Sequence, residues 1–187
     1  MPLKRIPVIL SPELLKILCE MGHGDTIVFA DAHFPTSSLC KHSGAKEIRM
    51  DGNCIPEILN GVLELFPLDR YVLAPVTLMQ VVPPDVGKVI PTIWDAYKEI
   101  VKRSEPDAGV QMLERFDFYE AAKNAYAIVH TGETSQYGNI ILKKGVVLPE
   151  PPTNDNNSHY KSGSRKRPAD SGGNSEAALK KESSLQS

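Results

Sequence analysis

The 187-residue chain is predicted to adopt an α/β fold, with helices packed against a sheet. Stretches with apolar residues at helical spacing alternate with short apolar runs, an order that favours a sheet covered by helices. The run 27–30 is apolar throughout and ends at the carboxylate of Asp31, a pattern typical of a buried strand. Hydrophobic residues make up 41% of the chain, which is enough for one core.

The first predicted helix has recognisable ends. Ser11 is a good N-cap, Pro12 suits the first helical position, and Gly22 can close the helix. Its apolar face consists of Leu14, Ile17, Leu18 and Met21.

Prolines divide the middle of the chain. After the strand that ends at Asp31, we predict a polar loop with Pro35, a strand at 47–50 and a helix beginning near Pro56. Pro75 then separates two short strands. These strands cover residues 71–74 and 79–82.

The last part of the predicted domain continues the alternation. A helix is expected at about 92–103, an extended piece at 110–113 and a further helix at about 117–125. Two strands, at 127–130 and 139–142, complete the sheet.

The chain is predicted to have one folded domain, residues 1–149, and a tail, residues 150–187. Eight of the 38 tail residues are serine, and only Tyr160, Leu179 and Leu185 are large and apolar. Such a segment cannot bury enough surface to offset its conformational entropy, so we expect a disordered, low-complexity tail. Its basic run at 164–168 is either a nuclear-import or polyanion-binding patch or simply solvated charge.

Charge and composition exclude several classes of protein. The chain carries 21 Lys and Arg against 23 Asp and Glu, which argues against nucleic acid as a partner. No apolar run approaches the roughly 20 residues that span a bilayer, and we expect no signal peptide. An odd set of three cysteines predicts a reducing, cytoplasmic setting. The cysteines are Cys19, Cys40 and Cys54.

Two residues are candidates for chemistry. His23 lies between two glycines, so a ligand can approach its ring, and an imidazole exchanges protons near neutral pH. Alternatively, His23 is merely an exposed residue in the turn after the helix. Asp31 ends a buried strand, where ligands of α/β sheets bind, although it could instead cap the following loop.

Other chemistries lack their signatures. The spacing of His23, His33, Cys40 and His42 fits no usual zinc motif, so no metal is expected. The chain has no GxSxG, P-loop or GxGxxG sequence, and neither Cys19 nor Cys54 stands in the setting of a catalytic nucleophile.

Two late segments carry residue types that suit a sugar. Segment 114–120 is rich in aromatic residues and 131–139 is a polar loop. Aromatic rings pack on the C–H faces of a sugar, while Tyr and Asn side chains bond to its hydroxyls. Phe116 and Phe118 are expected mostly in the core.

The chain resembles the RbsD/FucU family over about residues 2–148. Several matches in the same order carry this resemblance, which makes it more specific than any single motif. The matching pieces are LSPELL (10–15), MGHGD (21–25), IVFAD (27–31), FP-SS-C (34–40), EIR-DG (47–52), PLD-YV (67–72), ERF-FYE (114–120) and TGET-YGN-IL-KGV (131–146).

The resemblance implies a three-layer α/β sandwich that assembles into homo-oligomers, from dimers up to a decameric ring, with sites between neighbouring subunits. It implies an isomerase, an L-fucose mutarotase, with His23 as the catalytic residue. The implied substrate contacts are Asp31, Asp69, Met79, Tyr119, Tyr137 and Asn139.

Mutarotation opens the sugar ring to an aldehyde and closes it again, which requires positioned acid–base groups and no cofactor. His23 is the expected proton donor and acceptor, and Asp31 and Asp69 are expected to orient the sugar. Two alternatives are a ribose pyranase on the same scaffold and a non-enzymatic sugar-binding protein. The tail is longer than the family pattern needs.

Overall fold

The computed structural model describes residues 3–148, so the predicted tail lies outside the described residues. Helices and strands alternate along these residues, as predicted. The helices are α1 (Pro12–Glu20), α2 (Thr36–Ser43), α3 (Ile55–Leu63), α4 (Ile93–Ser104) and α5 (Arg115–Lys123). The strands are β1 (Thr26–Ala30), β2 (Lys46–Met50), β3 (Val76–Met79), β4 (Val110–Leu113), β5 (Ala127–Thr131) and β6 (Ile140–Lys143).

The strands form one sheet in the order β2-β5-β1-β6-β3-β4. Strand β6 runs antiparallel to its neighbours β1 and β3, and the other pairs are parallel. The carboxyl ends of β1 to β5 therefore lie at one edge of the sheet, together with the beginning of β6. We call this the carboxyl edge and the opposite one the amino edge.

Helices cover both faces of the sheet, which confirms the three-layer α/β prediction. Buried side chains of α1, α3 and α4 pack on one face, around Leu14, Leu59 and Tyr97. Side chains of α2 and α5 form a smaller cluster on the other face, around Leu39 and Phe118. No helix among residues 3–148 is long and apolar enough to cross a membrane.

Helix α1 begins as its sequence predicts. The Ser11 side chain accepts a hydrogen bond from the Leu14 backbone N–H at 3.1 Å, which satisfies one of the free amide groups of the first turn. The helix ends before Gly22, however, and the left-handed residue of the following turn is Gly24, with φ of +89°.

The prediction of a loop around Pro35 was wrong, because residues 36–43 form helix α2. Serine and threonine have only modest helix propensity, so the local sequence does not indicate a helix. The segment is helical because a helix buries its apolar side against α5. Its buried residues are Thr36, Leu39 and Cys40.

The predicted strands around Pro75 were also misplaced. Residues 71–74 form a turn in which Tyr71 and Leu73 are exposed, and β3 covers 76–79 rather than 79–82. The backbone N–H of Tyr71 bonds to the Asp69 carboxylate at 3.0 Å, a local side-chain bond that competes with strand pairing.

Replacing Ser11 should test the N-cap of α1. We expect Ser11→Ala to lower the free energy of unfolding by about 1 kcal/mol, because an amide of the first turn loses its partner. The measurement is urea unfolding at a fixed protein concentration, with Ser11→Asp as the matched control. An Ala variant as stable as the Asp variant would contradict the capping role.

Candidate active site

The seven site residues expected from the sequence divide between the two edges of the sheet. His23 precedes β1, and Asp69 is joined to the end of β6 by its backbone N–H, which bonds to the Lys143 carbonyl at 3.0 Å. Both therefore lie at the amino edge. The other five lie at or next to the carboxyl edge, and they are Asp31, Met79, Tyr119, Tyr137 and Asn139.

At the amino edge, His23 and Asp69 form a pair. The His23 Nε2 lies 3.2 Å from Asp69 Oδ1, and no other residue among 3–148 hydrogen-bonds the imidazole. The Asp69 side chain is 3% exposed, whereas 46% of the His23 side chain is open to solvent. With Nε2 held by a carboxylate, Nδ1 is left available to a ligand.

The Asp69 carboxylate is buried but held in its charged form. Burial opposes ionisation, yet the Tyr71 N–H, His23 and Lys143 outweigh it and lower the pKa of Asp69 below its usual value. The Lys143 ammonium lies 3.8 Å from Asp69 Oδ2. A charged carboxylate fixes the orientation of the imidazole and stabilises it when it takes up a proton.

At the carboxyl edge, Asp31 and Asn139 bond to each other twice. The Asp31 backbone N–H donates to Asn139 Oδ1 at 2.9 Å, and Asn139 Nδ2 donates to Asp31 Oδ2 at 2.6 Å. The His33 backbone N–H donates to Asp31 Oδ1 at 3.0 Å. Both residues are buried. Burial raises the pKa of Asp31, and these hydrogen bonds only partly oppose the shift.

The other three expected site residues at this edge belong to or pack against one apolar cluster. Met79 belongs to the apolar cluster between the sheet and helices α2 and α5, and Tyr119 and Tyr137 pack against that cluster. The Tyr119 ring contacts Phe34 edge-to-face, with centroids 5.3 Å apart. The carboxyl edge thus combines an apolar surface with hydroxyl, amide and carboxylate groups, which suits a polyol.

Sequence reasoning missed Arg115, which begins α5 two residues after the end of β4, at the carboxyl edge. Its Nε is buried and has no hydrogen-bond partner among the described residues. Its charge lies close enough to the Tyr137 phenol to oppose the rise in pKa that burial causes there. An unsatisfied buried donor beside polar side chains is a candidate for binding a ligand oxygen. Its position two residues after a strand was the available signal.

The prediction for Phe116, the neighbour of Arg115, was wrong, whereas Phe118 is buried as expected. Phe116 is 62% exposed, because it lies in the first turn of α5 on the side away from the sheet. The Arg115 guanidinium lies over its ring, 4.8 Å from the centroid.

Strand β1 separates the two groups of side chains. The four steps from Thr26 to Ala30 cover about 13 Å at about 3.3 Å per step, and His23 and Asp31 lie beyond opposite ends of the strand. A monosaccharide is too small to contact both groups in one chain. Each chain therefore carries two candidate half-sites: the pair of His23 and Asp69 at the amino edge, and the group around Asp31 and Asn139 at the carboxyl edge.

Possible metal ligands are scattered in this part of the chain. Among residues 3–148, no three His, Cys, Asp or Glu side chains are grouped so that they could hold an ion. His33 and His42, which are near His23 in sequence, are not its partners, since His42 bonds to the Ser38 carbonyl of its own helix.

Residues 4–147 match the family model described as the RbsD / FucU transport protein family. The chain is 54% identical over 150 residues to a fucose mutarotase of Danio rerio, covering 79% of this chain and 96% of that protein. It is 50% identical to a fucose mutarotase of Homo sapiens, covering 80% of this chain and 97% of that protein.

A solved structure is also similar: the fucose mutarotase from Streptococcus pneumoniae in complex with L-fucose. Its sequence is 52% identical to this chain, and the two structures superpose with a TM-score of 0.72. The match covers 78% of this chain and all of that one.

The pairing of His23 with Asp69 can be tested by the tautomer of the imidazole. We expect ¹⁵N NMR to show Nε2–H as the major neutral form, and Asp69→Ala to shift the ring toward a mixture, because the acceptor is lost. The His42 signals provide an internal control, since its bond to Ser38 is untouched. An unchanged ratio of His23 tautomers in Asp69→Ala would contradict the pairing.

Proposed function

The chain belongs to the RbsD / FucU family, and from this premise we propose that it is an isomerase that interconverts the α and β anomers of L-fucose. The observation that carries the proposal is the pairing of a half-exposed His23 with the buried, charged Asp69. This pair supplies the acid–base group that mutarotation needs. The bound sugar of the solved relative, which is 52% identical, supports L-fucose as the substrate.

Ring opening moves one proton from the anomeric hydroxyl to the ring oxygen and breaks the bond between C1 and the ring oxygen, which gives the aldehyde. Rotation about the bond between C1 and C2 presents the other carbonyl face, and closure yields the other anomer. His23 Nδ1 takes up and returns the proton, while Asp69 holds Nε2 and stabilises the protonated ring.

The carboxyl-edge group binds and orients the sugar. Asp31 and Asn139 retain lone pairs and an amide proton for sugar hydroxyls, and the unsatisfied Nε of Arg115 donates to a sugar oxygen. Met79 and Tyr119 border the apolar cluster and contact the C6 methyl of fucose, which ribose lacks. One buried methyl is worth about 1 kcal/mol, so fucose is preferred over ribose only severalfold.

The complete active site is shared between two copies of the chain. Support comes from the separation of the two pairs by the length of β1. A sugar held by Asp31 and Asn139 is out of reach of His23 and Asp69 of the same chain. A neighbouring copy then brings its amino edge to the carboxyl edge of the first. The active form is a homo-oligomer, from a dimer up to a decameric ring.

We further propose that residues 1–149 form the complete catalytic domain and that the protein acts in the cytoplasm. The three cysteines of the described residues are all free, which fits a reducing compartment. A monosaccharide needs no membrane contact and no cofactor for this reaction.

Replacing His23 should abolish most of the acceleration. We expect His23→Ala to slow anomer exchange at least about 100-fold, since general acid–base help is worth about 10²–10⁴. Saturation-exchange NMR on L-fucose measures the rate. The control is His42→Ala, a helix residue bonded only to its own helix. Near-native exchange in the folded His23→Ala protein would remove His23 from the mechanism.

Mixing two inactive variants should test the shared site. His23→Ala and Asn139→Ala homo-oligomers are both expected to be inactive. If sites form between copies, random co-assembly after joint refolding restores about a quarter of them, because each such site draws its histidine and its asparagine from different chains. Sites within one chain would leave the mixed oligomer inactive, and that result would refute the shared site.

Removing the tail should leave the chemistry intact. We expect a chain that ends at Glu150 to keep the full fucose exchange rate and the same mass by light scattering, because every proposed site residue precedes Gly145. A drop in rate with unchanged assembly would show that the tail contributes to catalysis.

A further inference from the structure

We propose that Asp85 is a positioning residue that acts through Tyr137 and makes the Tyr137 hydroxyl an acceptor for the sugar. The Tyr137 hydroxyl donates to Asp85 Oδ2 at 2.5 Å, across 52 residues of sequence. Asp85 lies on the segment between β3 and α4, to which the sequence assigned no role. The inference rests on the proposed function, because it concerns the same sugar site.

The backbone of Tyr137 is held in an unfavourable conformation. Its φ is +59°, in the left-handed region that costs a non-glycine residue roughly 1–2 kcal/mol. Such a conformation persists only where the surroundings impose it. Two residues of α4 do so: Trp94 Nε1 donates to the Tyr137 carbonyl at 2.9 Å, and the Tyr97 hydroxyl donates to the Gly138 carbonyl at 2.8 Å.

These contacts hold the backbone, whereas the phenol packs against the apolar cluster and its oxygen faces the backbone N–H of Val82. Asp85 adds the side-chain hydrogen bond that takes the phenol proton, and the Asp85 carboxylate makes no other hydrogen bond to a side chain among residues 3–148. It is carried by a short turn, residues 83–85, that begins with two prolines. Prolines stiffen the backbone, so the carboxylate is presented in a defined place.

The bond to Asp85 also sets the polarity of the Tyr137 oxygen. A phenol has one proton to donate and lone pairs that accept. Because the carboxylate takes the proton, the oxygen can only accept a hydrogen bond from the ligand. The charge of Arg115 acts on the Tyr137 phenol, and the buried Nε–H of Arg115 has no partner among residues 3–148, so it can donate to the ligand. The Tyr137 oxygen then accepts the proton of a sugar hydroxyl, while Arg115 donates to a sugar oxygen. A sugar bound in another orientation would lose one of these hydrogen bonds, so one pose of the substrate is favoured.

The test compares variants of Asp85 and Tyr137 in fucose exchange. We expect Asp85→Ala to raise KM about tenfold and to change kcat less than twofold, because a ground-state contact is weakened. Asp85→Asn keeps an acceptor for the phenol proton and should restore KM. In a Tyr137→Phe background, Asp85→Ala should add nothing, since the two act as one unit.

The control is Lys88→Ala, an exposed residue of the same segment, which should leave KM and kcat unchanged. An unchanged KM in Asp85→Ala, or an undiminished effect of this substitution in the Tyr137→Phe protein, would overturn the proposal. Equal thermal midpoints for the Ala and Asn variants separate positioning from a loss of stability. If Asp85→Ala lowers the thermal midpoint enough to explain its weaker binding of fucose by unfolding alone, the proposal is also overturned.

A second readout is independent of turnover. Trp94 is the only tryptophan of the chain and bonds to the Tyr137 carbonyl, so its fluorescence reports binding of L-fucose at this residue. We expect Asp85→Ala to weaken this binding about tenfold and Asp85→Asn to restore it. If the wild type binds L-fucose without accelerating exchange, the proposed enzyme function fails while the role of Asp85 still stands.

Discussion

The reciprocal hydrogen bonds between Asp31 and Asn139 hold the carboxyl edge together. They join the end of β1 to the start of β6, two points that lie 108 residues apart in the chain. Both side chains are buried, so each must satisfy its polar groups within the protein, and the backbone N–H of Asp31 would otherwise lack an acceptor. The loop that carries Tyr137 and Gly138 ends at Asn139. Its place over the sheet therefore depends on this pair and on the two donors that α4 provides.

The two candidate half-sites have opposite electrostatic characters, and each suits the task proposed for it. At the amino edge, a carboxylate with a lowered pKa stays charged and steadies an imidazole that is open to solvent. At the carboxyl edge, burial raises the pKa of Asp31, so its charge is less well stabilised by the protein alone. A sugar whose hydroxyls donate hydrogen bonds to Asp31 would add the stabilisation of the charged carboxylate that the surrounding protein provides only in part. Dividing these environments between opposite edges lets one small domain maintain both, and under the proposed assembly a second copy brings them together.

Much of this architecture could be predicted from local patterns, and the failures have physical causes. Helix α1 and strand β1 carry strong signals, because their caps and apolar spacing agree with their burial. Helix α2 was missed because burial against α5, rather than local propensity, makes it helical. The site residues followed from the resemblance, but no spacing indicates that His23 meets Asp69, 46 residues away, at the edge opposite Asp31. Arg115 was missed because the aromatic residues of segment 114–120, rather than its charged ones, indicated sugar binding.

The central position of β6 has a consequence for how the chain folds. It is the last strand among residues 3–148, yet it lies between β1 and β3 and joins the group β2-β5-β1 to the pair β3-β4. Its register sets Val28 against Ile141, a contact that closes more than a hundred residues of chain. Contacts this distant are slow to form, because the entropy of loop closure is lost before the contact stabilises anything. The sheet cannot be completed until nearly the whole domain has been synthesised, so we expect folding to be late, slow and cooperative.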